Sequence, residues 1–587
     1  MTLFRPLAAA LMATASPALA LPASAANLTI TDIVVGTGPI ALTIPRIEVV
    51  DGNMTEADIR SAFRVEDLAA TANSVSSWDA ASIRIPEMSF SQIVKSPDKP
   101  ETTAETVYRN LTIDRLQDGI AQSLRLEGGE MKMTGPETLS ASFGPMSSGM
   151  IDFGAMVGIY AGGGGEAKTI YKDFVAEGGK LTGPEGVTCD IGKVAVGEFK
   201  ARPLRTSLFD FALLAQSLEG GKTPSPAEIQ TLVGFYTDMF QGMDVSPVTG
   251  DGMTCKLVDE KGQPISFSVG KTEFEGLGKG RYGAITLNDF DVTVADQGFM
   301  RAGKLVFKGV DLNGVLDALN GAGGELSDAW FEQNFRKLIP SFEGFALENM
   351  SIDIPDPGTP GQRVKTSIGA FDVTLKAYQL GIPTDISITA ERQIFELPTD
   401  ATDEGLRQLR DMGFDRIEAD GVTKLHWDEA SGTIVIDELS FSGVDMGSFN
   451  ITGVVGNARK ELFAEDPQLM QMAAMGLSIK EVTVSTNDDG LAEKVFTMVG
   501  KEQGQDPAAV RTQISGLAAG MVPMMLGGTE QAQQVANAVM TFLNGGTSLK
   551  ITAIAKDAAG LGFVDFMAAE QNPAALVEKI DLSAEAQ

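Results

Sequence analysis

The chain has 587 residues, with 78 acidic and 46 basic side chains and a formal charge of −32. A field of that sign repels polyanions, which excludes a nucleic-acid binder that relies on phosphate neutralisation. Apolar residues make up 43% and charged residues 21%, a globular composition and not a disordered one. The inventory is unusual in other ways: 65 glycines, 25 methionines, three tryptophans, two cysteines and a single histidine.

The first 25 residues read as a secretory signal. Arg5 supplies a positive start, residues 7–21 are charge-free and broken by Pro17, and small residues at Ala18/Ala20 or Ala23/Ala25 offer cleavage. The run is shorter than the roughly 20 continuous apolar residues that a membrane anchor needs. Removing residues 1–25 takes away one arginine and no acid, which moves the charge from −32 to −33. No cysteine follows the apolar run to take a lipid, and the longest later apolar stretch, residues 516–528, is too short to span a bilayer. The expected product is exported, periplasmic or extracellular, with no transmembrane segment after cleavage.

From residue 26 to 325 the chain reads as a β-repeat region with short helices. Glu127-Gly128-Gly129-Glu130-Met131-Lys132-Met133-Thr134-Gly135-Pro136-Glu137 recurs as Glu177-Gly178-Gly179-Lys180-Leu181-Thr182-Gly183-Pro184-Glu185. A weaker echo, Thr249-Gly250-Asp251-Gly252-Met253-Thr254-Cys255, aligns with residues 182–189. These spacings, about 50 and 67 residues, suit stacked repeat units. Upstream of these, Ile44-Pro45-Arg46-Ile47 is echoed by Ile85-Pro86-Glu87-Met88. Residues 265–269 and 284–294 alternate apolar and polar, as half-buried strands do. Ser225-Pro226-Ala227-Glu228 is a capping box with proline at the first helical position, followed by Ile229, Leu232, Val233, Tyr236, Met239 and Phe240 at helical spacing. Cys189 and Cys255 each follow a threonine in similar sequence, which favours a disulfide between adjacent units; two buried free thiols are the alternative.

Residues 326–455 form a second antiparallel region, with strands expected over 346–354, 366–378 and 384–391. The clearest hairpin joins 421–427 to 433–441 around Asp428-Glu429-Ala430-Ser431-Gly432. Residues 456–587 turn helix-rich, with one or two strands. Asp466-Pro467 opens a helix that Gly476 ends, Asp506-Pro507 opens another, and Thr529 caps a third running to Leu543. The expected fold class is therefore α+β and strand-led: a repeated antiparallel sheet, elongated or curved, with interleaved short helices and a helix-rich C-terminal region.

Familiar catalytic chemistry finds little support. His426 is the only histidine, and its strand places it with Lys424 and Asp428 on the polar side, opposite Thr423, Leu425 and Trp427. Zinc sites need three or four His, Cys or carboxylate ligands. Gly278-Lys279-Gly280-Arg281-Tyr282-Gly283 matches a dinucleotide fingerprint, but a strand follows it where a helix is required, so it reads as a hairpin turn. Gly221-Lys222-Thr223 lacks the first glycine of a phosphate loop, and Gly162 to Gly165 reads as a turn. Ser485-Thr486-Asn487-Asp488-Asp489-Gly490 begins like a calcium loop, yet Phe496 occupies the position of the bidentate glutamate. It reads instead as a strand end that caps a helix near Leu491. Met470, Met472, Met475, Met521, Met524 and Met525 suit an adaptable apolar surface, but ordinary helix core is the simpler expectation. No catalytic, cofactor-binding or metal-ligating residue is assigned.

Met412-Gly413-Phe414-Asp415-Arg416-Ile417, Trp427-Asp428-Glu429-Ala430-Ser431-Gly432-Thr433 and Asp445-Met446-Gly447-Ser448-Phe449, with Gly504-Gln505-Asp506-Pro507 leading to Arg511, resemble runs in uncharacterised proteobacterial envelope proteins. Those proteins sit beside the YdgA-like and AsmA-like groups, and the resemblance covers roughly residues 345–587. It implies construction from repeated β-strands. The larger AsmA-like relatives are membrane-anchored and form lipid-carrying β-grooves; this chain departs from them in having a cleavable signal, and no functional residue carries over. The expectation is a non-enzymatic envelope protein that binds or shields an apolar ligand (a lipid) or a protein partner, in outer-membrane or lipid homeostasis. The rivals are a secreted carboxylate-dependent hydrolase and a calcium-dependent adhesion module.

Overall fold

The computed structural model describes residues 26–587 except 37–39, 64–66, 97–98, 136–137, 208–209, 212, 215–224, 260–261, 323–325, 357–358, 360 and 401–402. The described residues form one sheet of 32 strands, and every pairing in it is antiparallel. The order is a meander in which each long strand, or line of short strands, pairs with the next, the arrangement that short connections permit without crossovers. It is the strand-led mixture of sheet and interleaved short helices expected from the sequence.

The sheet opens with four long strands, β1 (Ala26–Val35), β2 (Ile40–Gly52), β3 (Ala80–Ser96) and β4 (Lys99–Gln117). The two Ile-Pro echoes lie opposite one another here, since Thr43 faces Ser89 and Glu48 faces Arg84. Beyond β4 each level of the sheet is crossed by two or three short strands laid end to end. β4 pairs along its length with both β5 (Ile120–Leu126) and β6 (Gly128–Thr134). The next levels are β7 (Leu139–Phe143) with β8 (Met146–Ser148) and β9 (Met150–Asp152), then β10 (Lys168–Ala176) with β11 (Gly179–Thr182). β12 (Thr188–Ile191) and β13 (Val194–Ala201) follow. Then come β14 (Met243–Val245), β15 (Val248–Gly250) and β16 (Met253–Val258). β17 (Pro264–Val269), β18 (Thr272–Phe274), β19 (Leu277–Gly278) and β20 (Arg281–Tyr282) complete this part.

The breaks between these short strands line up across the sheet, and they explain the repeated Glu-Gly-Gly. Gly178 takes φ +90 and a side chain there would sit 2.3 Å from the Ile191 carbonyl; Gly252 takes φ +90 and would meet the Gly270 carbonyl at 2.2 Å. Only glycine combines that backbone conformation with that approach. The Gly144 N–H donates to the Gly178 carbonyl and the Gly192 N–H to the Gly252 carbonyl, both at 2.8 Å, so each break is stitched to the next. Gly128, the first residue of β6, and Gly178, just before β11, occupy equivalent positions at the β5–β6 and β10–β11 breaks. The third echo is not equivalent: Thr182-Gly183 lies at the turn after β11, whereas Thr249-Gly250 ends β15 in mid-sheet.

From residue 285 the strands become long again. They are β21 (Ile285–Val294), β22 (Gly298–Asp311), β23 (Ser341–Pro355), β24 (Arg363–Gln379) and β25 (Ile382–Glu396). β26 (Arg416–Asp428), β27 (Thr433–Gly443), β28 (Gly447–Gly456), β29 (Ser478–Asp488), β30 (Ser548–Ala555), the two-residue β31 (Leu561–Gly562) and β32 (Ile580–Ala586) finish the sheet. The sheet runs unbroken past residues 325 and 455, because β22 pairs with β23 from Phe299↔Asp353 to Asp311↔Ser341 and β28 pairs with β29 over its length. The expected hairpin is present as β26–β27, with Asp428 opposite Thr433.

In such a meander, alternate connections lie at opposite ends of the strands. The connections at one end carry the first six helices: α1 (Glu56–Ala62), α2 (Leu68–Val75), α3 (Phe153–Gly158), α4 (Pro226–Gly242), α5 (Asn313–Gly321) and α6 (Asp328–Asn334). At the opposite end, α7 (Glu404–Asp411) joins β25 to β26. The later helices are α8 (Pro467–Met475), α9 (Leu491–Gln503), α10 (Pro507–Met525), α11 (Glu530–Leu543), α12 (Phe563–Gln571) and α13 (Pro573–Val577). Their starts follow the expected caps. Ser225 and Glu228 close the capping box of α4, and Asp466, Asp506 and Thr529 cap α8, α10 and α11. Among the described residues, no helix is long and apolar enough to cross a membrane.

Candidate functional site

Directly paired residues in an antiparallel sheet point to the same face, so the register defines what each face presents. One row begins Leu28–Val49–Ile83–Ile113–Leu124, one residue from each of β1 to β5. An equivalent row begins at β10 as Phe174–Val196–Val248–Phe274. It continues Ile285–Phe307–Phe345–Val373–Ile388 across β21 to β25. It then crosses Thr423, Leu439, Ile451, Val484 and Ile551 and ends at Ala584. Two residues along, Leu287–Leu305–Leu347–Phe371–Ala390 form a parallel apolar row on the same face. One face of the sheet is thus apolar over nearly its whole length.

The other face is polar and carries cross-strand ion pairs: Arg109–Glu130 at 3.1 Å, Lys193–Glu177 at 3.0 Å, Lys304–Glu348 at 3.3 Å and Lys424–Glu438 at 3.2 Å. Hydrogen bonding to Arg109 holds the Glu130 carboxyl below its ordinary value, and Ser440 with Lys424 does the same for Glu438. His426 lies on this face, with Nδ1 2.7 Å from the Asp437 carboxylate and both side chains partly exposed. That is the solvated position its strand pattern implied.

Coverage of the apolar face is uneven. At the N-terminal end, α1, α2 and α3 roof β2 to β4 over a core of Ile30, Ile44, Ile47 and Val49, all under 3% exposed. A cavity of about 350 Å³ remains beneath them, lined by residues that include Ile85, Leu111 and Ile113 from the sheet and Ala62, Val75 and Val157 from the helices. Farther along, α4 packs Phe235 against Phe211 with ring centroids 3.9 Å apart, and Phe240 meets Tyr282 at 5.8 Å. The helix is fixed by Asp238, which is 1% exposed and pairs with both Arg202 and Arg205; the Arg205 backbone N–H donates to it at 2.6 Å. Burial opposes the charged form of Asp238, but these donors and the Arg202 charge outweigh it and keep the carboxyl below its ordinary value.

Over β21 to β23 the apolar face is open. Phe307 is 48% and Ile285 43% exposed, and with Leu305, Phe342, Phe345 and Leu347 they line a shallow recess of about 330 Å³. Leu439, Phe441, Phe449 and Val484 are exposed in the same way on β27 to β29. Large apolar side chains presented together on a sheet face mark a binding surface more often than a plain exterior. Toward the C-terminal end, α11 packs its buried Ala532, Val535 and Ala536 near β30 and β32.

The methionines of α8 and α10 are not helix core. Met472 is 66%, Met524 72% and Met525 62% exposed, and Met470, Met475 and Met521 are exposed as well. The core of α10 is made by Val510 and Ser515 instead. Gly278 to Gly283 is a hairpin turn between β19 and β20, with Lys279 and Gly280 at positive φ, and strand β21 follows it. Gly162 to Gly165 is a turn with four positive φ values. Asp488 ends β29, and its carboxylate accepts the Ala492 N–H at 2.9 Å at the start of α9, as a capping residue does. Cys189 and Cys255 sit opposite one another on β12 and β16, with sulfurs 2.08 Å apart. The signal segment and Gly221-Lys222-Thr223 lie outside the described residues.

A family model described as an uncharacterized protein matches residues 440–587, from the second half of β27 to the last strand. No curated protein matches the chain.

Proposed function

We propose that the chain is an exported, non-enzymatic envelope protein that holds a lipid on the apolar face of its sheet. The observation that carries this reading is the row from Phe174 to Ala584, apolar at every position but Thr423, combined with its exposure at Ile285, Phe307 and Phe345. An exported protein with such a face in water gains by covering it, at about 25 cal/mol per Å² of apolar surface removed from solvent. Alkyl chains have no polar groups to satisfy, so a long row of Phe, Leu, Ile and Val suits them. The resemblance of residues 345–587 to envelope proteins that sit beside the YdgA-like and AsmA-like groups supports the same reading. Export rests on Arg5, the apolar stretch that follows it and the small residues before Ala26.

The test is to express the full gene product, purify the processed chain without detergent, and extract it for lipid mass spectrometry. Phospholipid is expected with the wild type, and its amount should fall at least severalfold in a Phe307→Asp/Phe345→Asp variant while the polar-face Lys304→Ser variant keeps it. A wild-type protein that emerges lipid-free and takes up none from phospholipid vesicles would overturn the reading. N-terminal sequencing of the processed chain checks the export step, with a start expected at or shortly after Leu21.

A further inference from the structure

We infer that the roofed cavity at the N-terminal end of the sheet is a separate site for one alkyl chain of a single-chain amphiphile such as a fatty acid. The inference takes its ligand class from the groove reading above, but it stands on a different part of the molecule. The cavity is closed on the sheet side by Ile47, Ile83 and Ile113 and on the other by the helices that carry Ile59, Val75 and Met156. Among the described lining side chains, only Thr71 and Trp78 bring an O–H or N–H group. Water in such a space lacks the two to four polar partners it needs, and apolar cavities of this kind stay dry or take apolar guests.

Size selects the guest. The volume of about 350 Å³ equals that of about a dozen waters in the liquid at about 30 Å³ each, close to the bulk of one medium-length alkyl chain. Two acyl chains of a phospholipid, or a fused-ring sterol, exceed it. The same face lies open at β21 to β23, so the cavity and the open groove differ in what they admit: the groove accepts bulk, while the roofed end accepts a single thin chain.

Calorimetric titration of the processed chain with straight-chain fatty acids of eight to sixteen carbons tests this. Each methylene that enters the cavity should tighten binding about fourfold, and the gain should stop once about a dozen carbons fill the space. Ala62→Trp and Val157→Phe, which put bulk into the cavity from α1 and α3, should each weaken dodecanoate binding by tenfold or more with unchanged melting temperatures. Both should leave the phospholipid of the open groove in place. Phe307→Asp should leave dodecanoate binding unchanged. Affinity that does not depend on chain length, or dodecanoate binding untouched in both well-folded filling variants, overturns the inference. A normal chain-length series in a protein that carries no phospholipid supports the cavity and removes the groove reading alone.

Discussion

The rings of Tyr171 and Phe174 lie 5.6 Å apart on the same face of the sheet, although the two stand three positions apart on one strand. Plain alternation would send them to opposite faces. Asp173 between them takes φ 52, and this single left-handed residue resets the alternation. Asp289 and Asn349 have the same φ, and Leu287 to Phe290 and Leu347 to Met350 follow the same three-residue step. Such resets, with the glycine breaks beside them, keep the large side chains of the apolar rows on one side across each three-residue step.

A β-branched residue at this reset should therefore be costly. Left-handed backbone costs a residue with Cβ roughly 1–2 kcal/mol, and Asp and Asn bear it best. Asp173→Val is expected to lose about that much stability in urea denaturation, while Asp173→Asn stays within a few tenths of the wild type. Equal stability of the Val variant would mean that the reset is not held in solution.

The ion pairs of Asp238 with Arg202 and Arg205 should matter more than any pair on the polar face. Asp238→Asn leaves two guanidiniums without their carboxylate. Removing one partner of a fully buried pair costs about 3–5 kcal/mol, and since the Arg205 side chain is more than half exposed, about 2 kcal/mol is expected here. The carboxyl is held below its ordinary value of 3.8. Its contribution is thus complete above that value and is lost as pH falls through the lower folded-state value. The gap between wild type and Asp238→Asn, followed by hydrogen exchange in α4, should be constant from pH 5 to 7 and should close in stronger acid.

Much of this architecture could be read locally. The capping box at Ser225, the Asp-Pro starts at 466 and 506, and the hairpin around Asp428 depend on residues within a few positions of one another, and each is found where its spacing puts it. The Glu-Gly-Gly recurrence was visible too, but as a repeat; its meaning as aligned breaks needs the neighbouring strand, because only the Ile191 carbonyl shows why Gly178 must lack a side chain. The open face was hidden for the same reason. Ile285 reads as an ordinary half-buried strand residue, and only its pairing across the sheet with Phe307 and Phe345, with the exposure of all three, makes them a surface. The Asp238 cluster joins residues more than thirty positions apart, which no local pattern announces.

The Cys189–Cys255 link ties β12 to β16 across 66 residues of chain that include α4. Closing a loop of that length in the unfolded chain is worth about 4 kcal/mol in the chain-entropy account. A Cys189→Ala/Cys255→Ala double variant should lose about that much in denaturant unfolding, and reduction of the wild type should bring it to the same midpoint. Mass spectrometry that finds both thiols free in protein purified without reductant would remove the link and the expectation together.

The exposed methionines allow a direct check on the C-terminal helices. Oxidation by peroxide follows the accessibility of the thioether, and Met472, Met524 and Met525 stand well out from α8 and α10, whereas Met54 is 6% exposed in the N-terminal core. Under mild peroxide, peptide mapping should show sulfoxide at these three positions first and at Met54 last. Because none of the three is packed, the oxidised protein should keep its melting temperature. If the helices instead buried these side chains in one another, as ordinary helix core would, the sulfoxides would appear late and the melting temperature would fall as they did, since a polar, chiral group would then have to fit an apolar contact.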